Sequence, residues 1–241
     1  MARYFISDLH LQPSRTDLAK GYYDFCEQHL SQGDELYILG DFFDAWIGDD
    51  EDGDFYKDVI QQLAALKGRG VRTYFMHGNR DFLVGDKFAE LTGAALLEEN
   101  CTITLTDGRT ALLLHGDSLC TDDIEYMAFR QQVRNPAWQA QILALPLEHR
   151  RAMAADLRAK SKSMNSNKAE DIMDVAETSV NAAFEKANTS LMIHGHTHRP
   201  NRHKHTNSLG ACERIVLGDW EQTGWYLKDD NSTVELVEFP L

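Results

Sequence analysis

The sequence predicts an α/β fold: a single domain over 1–241, built on a sheet flanked by helices and carrying a helical insertion at about 122–170. Three observations predict it. Apolar runs short enough for strands alternate with helix-like segments through the first 120 residues. Residues 122–188 then lack strand signals and read as several helices. Finally, five of the apolar runs lead straight into carboxylate, carboxamide or imidazole groups, a recurrence that independent surface turns would not produce.

Taken in order, Tyr4-Phe5-Ile6 is the first strand-like run, followed by a helical pattern at 17–31. Leu36–Leu39 is the second run, and the helical pattern at 54–68 that follows is closed by Gly68 and Gly70. Tyr74–Met76 and Ala111–Leu114 are the next strands. The helices of the insertion break near Pro136 and Pro146, where the missing N–H and fixed φ interrupt a helix. Leu191-Met192-Ile193 resumes the strands, and the tail adds runs at 214–217, 224–227 and 233–237.

A hydrophobic content of 43% and an aromatic content of 10% suffice for a sizeable core. The four cysteines are scattered without a C-x-x-C pair, which argues against a disulfide framework and against a thiolate zinc site. The N-terminus lacks the basic and apolar regions of a signal peptide, and no apolar run approaches the ~18 residues of a membrane span. A cytosolic location is expected. The net charge of −14 disfavours a general nucleic-acid binder. Residues 130–168, however, hold eight basic side chains against Glu148 and Asp156 alone, so that one region is placed to meet an anion. The acidic stretch 48–54 has the composition of a calcium loop. With Gly53 as sixth residue, its first and twelfth positions would be Gly48 and Val59, which carry no carboxylate. It reads as a surface loop, with Asp49 and Asp50 near the mouth of a site.

The strand ends carry the chemistry: Ser7-Asp8-Leu9-His10, Gly40-Asp41-Phe42-Phe43-Asp44, Gly78-Asn79-Arg80-Asp81, His115-Gly116-Asp117 and His194-Gly195-His196-Thr197-His198. Sites in open α/β sheets form beyond the carboxyl ends of the strands, so groups spread over nearly 190 residues can converge. Residues i and i+2 of an extended strand point to one side, so Asp8 with His10, and His196 with His198, can grip one point in pairs. Asp8, His10, Asp41, Asn79, His115, His196 and His198 supply oxygen and nitrogen without sulfur, a set suited to manganese, iron or zinc. Seven donors are too many for one ion that must keep an open position. They fit two ions sharing a carboxylate, which in such sites hold both oxygens of a displacement at phosphorus.

These D-x-H, G-D-x-x-D, G-N-x-D, H and G-H-x-H blocks resemble those of the calcineurin-like metallophosphoesterase superfamily. The resemblance implies an α-β-β-α sandwich. It also implies one ion on Asp8, His10, Asp41 and His198, and a second on Asp41, Asn79, His115 and His196, with Asp41 bridging. His194 falls outside these positions, in a supporting or packing role.

Most of that superfamily carries histidine after the asparagine, where this chain has Arg80. Arginine cannot give up its proton near neutrality, so it does not replace a general acid. A phosphate leaving group needs none, because its second pKa is about 6. It needs a cation, and a guanidinium fork supplies one. Arg80 therefore predicts cleavage of a pyrophosphate bond. The stretches FISDLHL, LYILGDFFDAWIGDD, YFMHGNRDFL, LLLHGDSLCTDD, SKSMNSNKAEDIMDV and IHGHTHRP are similar to the family of UDP-2,3-diacylglucosamine hydrolases. That resemblance implies hydrolysis of UDP-2,3-diacylglucosamine to UMP and 2,3-diacylglucosamine 1-phosphate (lipid X) in lipid A biosynthesis, by two-metal activation of water attacking the uridine-side phosphorus. It implies two Mn2+ per chain, with zinc or iron compatible with the donors, and a peripheral protein on the cytoplasmic side of the bacterial inner membrane. It further implies catalytic roles for Asn79, Arg80 and His196, and substrate contacts at Asn79, Arg80, Asp123, Ser161, Asn165, Lys168 and His196. Phe129, Val133, Trp138, Ile142, Leu143, Leu145 and Leu147 in the insertion suit an acyl-chain chamber, or equally an amphipathic lid packed on the core.

Overall fold

The computed structural model describes residues 1–165 and 174–241, with the side chains of 162–165 left aside. Eleven strands and seven helices are described: β1 (Arg3–Ile6), α1 (Thr16–His29), β2 (Glu35–Leu39), α2 (Asp54–Gly68), β3 (Arg72–Met76), α3 (Asp86–Thr92), β4 (Ala95–Leu97), β5 (Cys101–Thr104), β6 (Thr110–Leu113), α4 (Ile124–Val133), α5 (Pro136–Leu143), α6 (Leu147–Asn165), α7 (Glu177–Ala187), β7 (Leu191–His194), β8 (Asn201–Asn207), β9 (Gly210–Val216), β10 (Thr223–Asp230) and β11 (Thr233–Pro240). They form a six-stranded sheet in the order β11-β10-β1-β2-β3-β4 and a five-stranded sheet in the order β5-β6-β7-β9-β8.

Two-residue periodicity explains the layering, since alternate side chains of a strand face opposite sides. Tyr4 and Ile6 of β1, with Leu36 and Ile38 of β2, meet the helices α1–α3 in one core that includes Tyr22, Phe25, Leu63 and Phe88. Phe5, Tyr37 and Leu39 turn the other way, onto Leu113, Ile193, Ile215 and Leu217 of the second sheet. That sheet's outer residues, Leu112, Leu114 and Met192, pack on Val180 and Phe184 of α7. The result is an α-β-β-α sandwich. Strands β1, β2 and β3 are mutually parallel, as are β6, β7 and β9, so their carboxyl ends open on one edge.

Helices α4–α6 follow a short 3₁₀ turn, Asp117–Leu119. Pro136 opens α5, behind an Asn135 side chain that accepts from Ala137 N at 2.8 Å. Pro146 precedes α6. One strand had no apolar signature in the sequence: β8 is polar at every position and holds its place by seven register pairs with β9. Among the described residues no helix is long and apolar enough to cross a membrane.

The basic stretch is largely engaged internally. Arg150 pairs with Asp50, Arg151 with Glu51, Asp52 and Glu148, Arg158 with Asp44, and Arg130 with Glu99 and Asp117. The acidic loop, distant in sequence, lies alongside α6 and neutralises it. The side chains of Lys162 and Lys168, also counted in that stretch, lie outside the described residues. Asp49 is not a mouth residue either: it accepts from Gly85 N at 3.0 Å and Phe88 N at 2.9 Å, at the start of α3.

Candidate metal centre

Six parallel strand ends converge on one cluster. Past the end of β1, Asp8 N donates to Gly40 O at 3.1 Å and His10 N to Asp41 O at 3.0 Å, so the first two loops run on as neighbours. Within the second sheet, Gly195 N donates to His115 O at 2.8 Å and Leu217 N to His194 O at 2.7 Å. Trp220 N donates to Asp8 O at 3.2 Å and ties the two sheets together at the site.

The seven donors form a continuous chain of contacts. Asp8 Oδ1 lies 3.5 Å from His198 Nε2, which lies 3.3 Å from His10 Nε2. His10 Nδ1 is 3.9 Å from Asp41 Oδ2, and His115 Nε2 is 3.7 Å from Asp41 Oδ1. Asp41 thus turns one oxygen to each half, as a carboxylate shared by two cations must. Asn79 Oδ1 stands 2.9 Å from His115 Nε2 and 2.9 Å from His196 Nδ1. Two trios, Asp8–His10–His198 and Asp8–Asp41–His115, have donor atoms within 4.8 Å of one another. The second trio brings Asp8 as well as Asp41 between the two halves.

The pairing within D-x-H and H-x-H has a different origin from the extended-strand alternation expected. Asp8, His10, Asp41, His196 and His198 all lie beyond the strand ends with φ of 58°, 49°, 52°, 67° and 54°. Left-handed backbone is uncommon outside glycine, and aspartate and histidine are among the residues that tolerate it. Two glycines permit the crowding. A Cβ on Gly78 would strike the side chain and amide of Asp41, and one on Gly195 would strike Asp8 and Ser7.

A cation fits this arrangement on chemical grounds. His115 Nδ1 must donate to the carbonyl of Leu39 at 2.9 Å, which leaves a lone pair on Nε2. That lone pair faces Asn79 Oδ1 and Asp41 Oδ1, both acceptors. Asp8 Oδ1 and His10 Nδ1 are buried without a hydrogen-bond partner. The protonation equilibria report the same deficit. Burial, then the charges of Asp81 and Asp8, pushes the Asp41 carboxyl well above the usual carboxylate range. His115 is raised against burial by Asp41 and Asp8. His198 is pushed up to about 11, also against burial, by Asp219 and Asp8. Burial takes His10 down to about 3 and, with His115, His196 down to about 4. Asp41, His115 and His198 thus favour their protonated forms and His10 and His196 their neutral ones, as expected where buried carboxylates crowd together without a compensating cation.

Arg80 extends over the same cluster: Nε is 3.6 Å from Asp41 Oδ2 and Nη1 is 3.6 Å from Asp44 Oδ1. Asp44 is also held by Arg158 Nη2 at 2.7 Å. From Arg80 and Asn79 a cleft of about 280 Å³ runs beneath α4–α6, near the low end of small-molecule sites at roughly 300–1,000 Å³. Asp123 and Ser161 line it, as do Phe129, Trp138 and Ile142 of the expected apolar set. Asp123 also caps α4, accepting from Tyr126 N at 3.0 Å. Val133 is buried elsewhere, Leu143 is largely exposed, and Leu145 and Leu147 stand off the cleft. Trp46, Phe82, Leu83, Met153 and Leu157 take their place. Lys168 and the side chain of Asn165 lie outside the described residues.

The match to known families follows this geometry: residues 1–200 match the calcineurin-like phosphoesterase model. The chain belongs to the calcineurin-like phosphoesterases. It is similar to the UDP-2,3-diacylglucosamine hydrolase of Cellvibrio japonicus, 56% identical over 227 residues and 94% of each chain. The protein of the same name from Chromohalobacter salexigens is 50% identical over 99% of this chain and 98% of its own, and that of Enterobacter sp. (strain 638) is 45% identical over the whole of both. A solved archaeal phosphodiesterase shares the fold, with a TM-score of 0.50 at 12% identity over the full length of both chains.

Three supports of this phosphoesterase centre were not recognised from sequence. Asp81, fully buried, accepts from Phe42 N at 2.8 Å and Gly78 N at 2.7 Å and so locks the loop of Asp41 to that of Asn79. Asp117 accepts from Tyr126 Oη at 2.6 Å and Arg130 Nε at 2.9 Å, anchoring α4. Asp219 Oδ2 faces His198 Nδ1 at 3.2 Å. A signal for the last existed, because Ile215-Val216-Leu217 runs into Gly218-Asp219 as the other strand ends do. His194 is packed, as its offset position suggested: Nδ1 donates to Gly195 O at 2.8 Å, and Nε2 accepts from Arg214 Nη1 at 3.1 Å.

Proposed function

We propose that this chain is a metal-dependent hydrolase that cleaves the pyrophosphate bond of UDP-2,3-diacylglucosamine, giving UMP and 2,3-diacylglucosamine 1-phosphate in lipid A biosynthesis. The observation that carries the reading is the cleft joining Asn79 and Arg80, at the donor cluster, to an apolar lining from α4, α5 and α6. A diacylated sugar phosphate has that polarity: charge at one end, hydrocarbon at the other. The names of the full-length relatives support the same substrate.

Asp8, His10, Asp41 and His198 would hold one divalent cation and Asp41, Asn79, His115 and His196 the other, with Mn2+ the ion proposed. Bound there, the pair supplies Lewis acidity and an activated water for attack on the uridine-side phosphorus. With its oxygen turned to His115 and His196, Asn79 has its amide N–H groups left to donate to a phosphate oxygen. Arg80 lines the cleft beside Asn79, where its guanidinium can take up charge as the sugar phosphate departs. The leaving phosphate, with a second pKa of about 6, departs as an anion and needs no protonated side chain. His196 Nδ1, 2.9 Å from Asn79 Oδ1, orients Asn79. Asp123, Ser161, Asn165 and Lys168 are assigned to the sugar and its phosphate. We place the protein peripherally on the cytoplasmic face of the bacterial inner membrane, where such a lipid is met.

Purified protein incubated with UDP-2,3-diacylglucosamine, with and without Mn2+, tests this. Metal-dependent release of UMP is expected, with no cleavage of a nuclease substrate in parallel. Cleavage of the nucleic acid in place of the sugar nucleotide would overturn it.

A further inference from the structure

We propose that Asp219 is a positioning residue for the His10–His198 half of the metal centre, turning His198 so that Nε2 faces the cation. The imidazole of His198 is bracketed. Its Nε2 stands 3.3 Å from His10 Nε2 and 3.5 Å from Asp8 Oδ1, inside the donor cluster, while Nδ1 stands 3.2 Å from Asp219 Oδ2 on the opposite side. A carboxylate beside Nδ1 keeps the proton on that nitrogen and the lone pair on Nε2. His198 needs such a device, because it is the most exposed of the seven donors, with 36% of its side chain accessible. His115 has the carbonyl of Leu39 for the same purpose.

The loop that carries Asp219 is built to hold it still. Leu217 N is bonded to His194 O at 2.7 Å, and Trp220 N to Asp8 O at 3.2 Å, so both flanks of Asp219 are pinned to the loops bearing ligands. Trp220 is fully buried, and its Nε1 donates to Trp225 O at 3.0 Å. Gly218 lies flat against the Trp225 ring, where a Cβ would collide. This placement ties Asp219 to one trio only, Asp8–His10–His198, and leaves the Asn79–His115–His196 side untouched. The inference rests on reading these histidines as ligands, and is independent of the substrate.

The test is Mn2+ affinity, measured by chelator competition on wild type, Asp219→Ala and Asp219→Asn. In Asp219→Ala one of two bound ions should weaken by roughly 10–100-fold and the other stay within about threefold. Asp219→Asn keeps an acceptor for Nδ1–H and should recover affinity to within about tenfold of wild type. Turnover of Asp219→Ala should return at excess Mn2+. If Asp219→Ala melts without a folded baseline, the near-isosteric Asp219→Leu takes its place with the same expectation. Wild-type affinity at both ions in the variant lacking the acceptor would overturn the proposal. So would equal weakening of both ions, or an Asp219→Asn variant as weak as Asp219→Ala. Because the readout is metal affinity, it stands whether or not UMP is the product.

Discussion

Asp81→Ala is the substitution that tests how the centre is assembled, because Asp81 bonds two loops and belongs to neither trio of donors. Its carboxylate accepts from Phe42 N and Gly78 N, 2.8 and 2.7 Å away, in a fully buried setting. Two hydrogen bonds to a charged acceptor at roughly 1.5–3 kcal/mol each make a gross loss of about 3–6 kcal/mol on truncation. Burial of the carboxylate, which pushes its pKa up, offsets part of that and leaves about 2–4 kcal/mol. For a chain of this size the melting temperature should fall by roughly 5–15 °C. Asp81→Asn retains one acceptor and should lose about half as much. Urea unfolding in EDTA is the assay, since bound metal would add stability through mass action. An Asp81→Ala midpoint within about 0.5 kcal/mol of wild type would refute the claim that these two bonds hold the loops in place.

Further outcomes are expected. Arg80→Ala should lower turnover by about 10²–10³ while both metal affinities are kept, because the backbone N–H of residue 80 still bonds Asp41 Oδ1 at 2.8 Å; near-normal rates would remove Arg80 from the chemistry. Shortening both acyl chains of the substrate should raise KM or lower kcat at least tenfold, at ~0.8 kcal/mol per buried methylene; indifference to chain length would empty the cleft of its assigned role. Burial and Arg214 hold His194 down at about 3, below its unfolded value of about 6.5. The unfolded chain therefore takes up the extra proton in that window, and the stability His194 contributes, complete above pH ~6.5, is lost as pH falls toward 3. In EDTA, His194→Gln should show a shallower fall in urea midpoint between pH 6 and 4, and an unchanged slope would contradict the assignment.

The donors were legible because each follows an apolar run, and the strands that bear them run parallel to one edge of the sandwich. Strands β1, β2, β3, β6 and β7 and helices α1 and α2 were legible for the same reason, their apolar periods being plain. What stayed hidden depends on contacts between distant segments. Nothing in Asn79-Arg80-Asp81 says that the aspartate turns inward to two amides 39 and 3 residues away. The left-handed backbone at Asp8, His10, His196 and His198 is likewise set by the crossing of loops, so the right pairs were read from the wrong geometry. The arginines of α6 looked free only because their acidic partners lie about 100 residues earlier. Asp219 was missed although its pattern was visible, because the run before it was read as tail.

The left-handed residues carry a consequence for how such a centre can decay. The left-handed backbone of His10, at φ 49°, burdens the fold by roughly 1 kcal/mol or more, and its buried Nδ1 has no hydrogen-bond partner to offset that. His10→Gly should therefore melt no lower than the parent in EDTA, and clearly lower once Mn2+ is added; a drop in both conditions would show the tension to be absent. Selection for thermal endurance alone would then erode this corner of the molecule first, and a descendant that had lost its ions could be the sturdier protein.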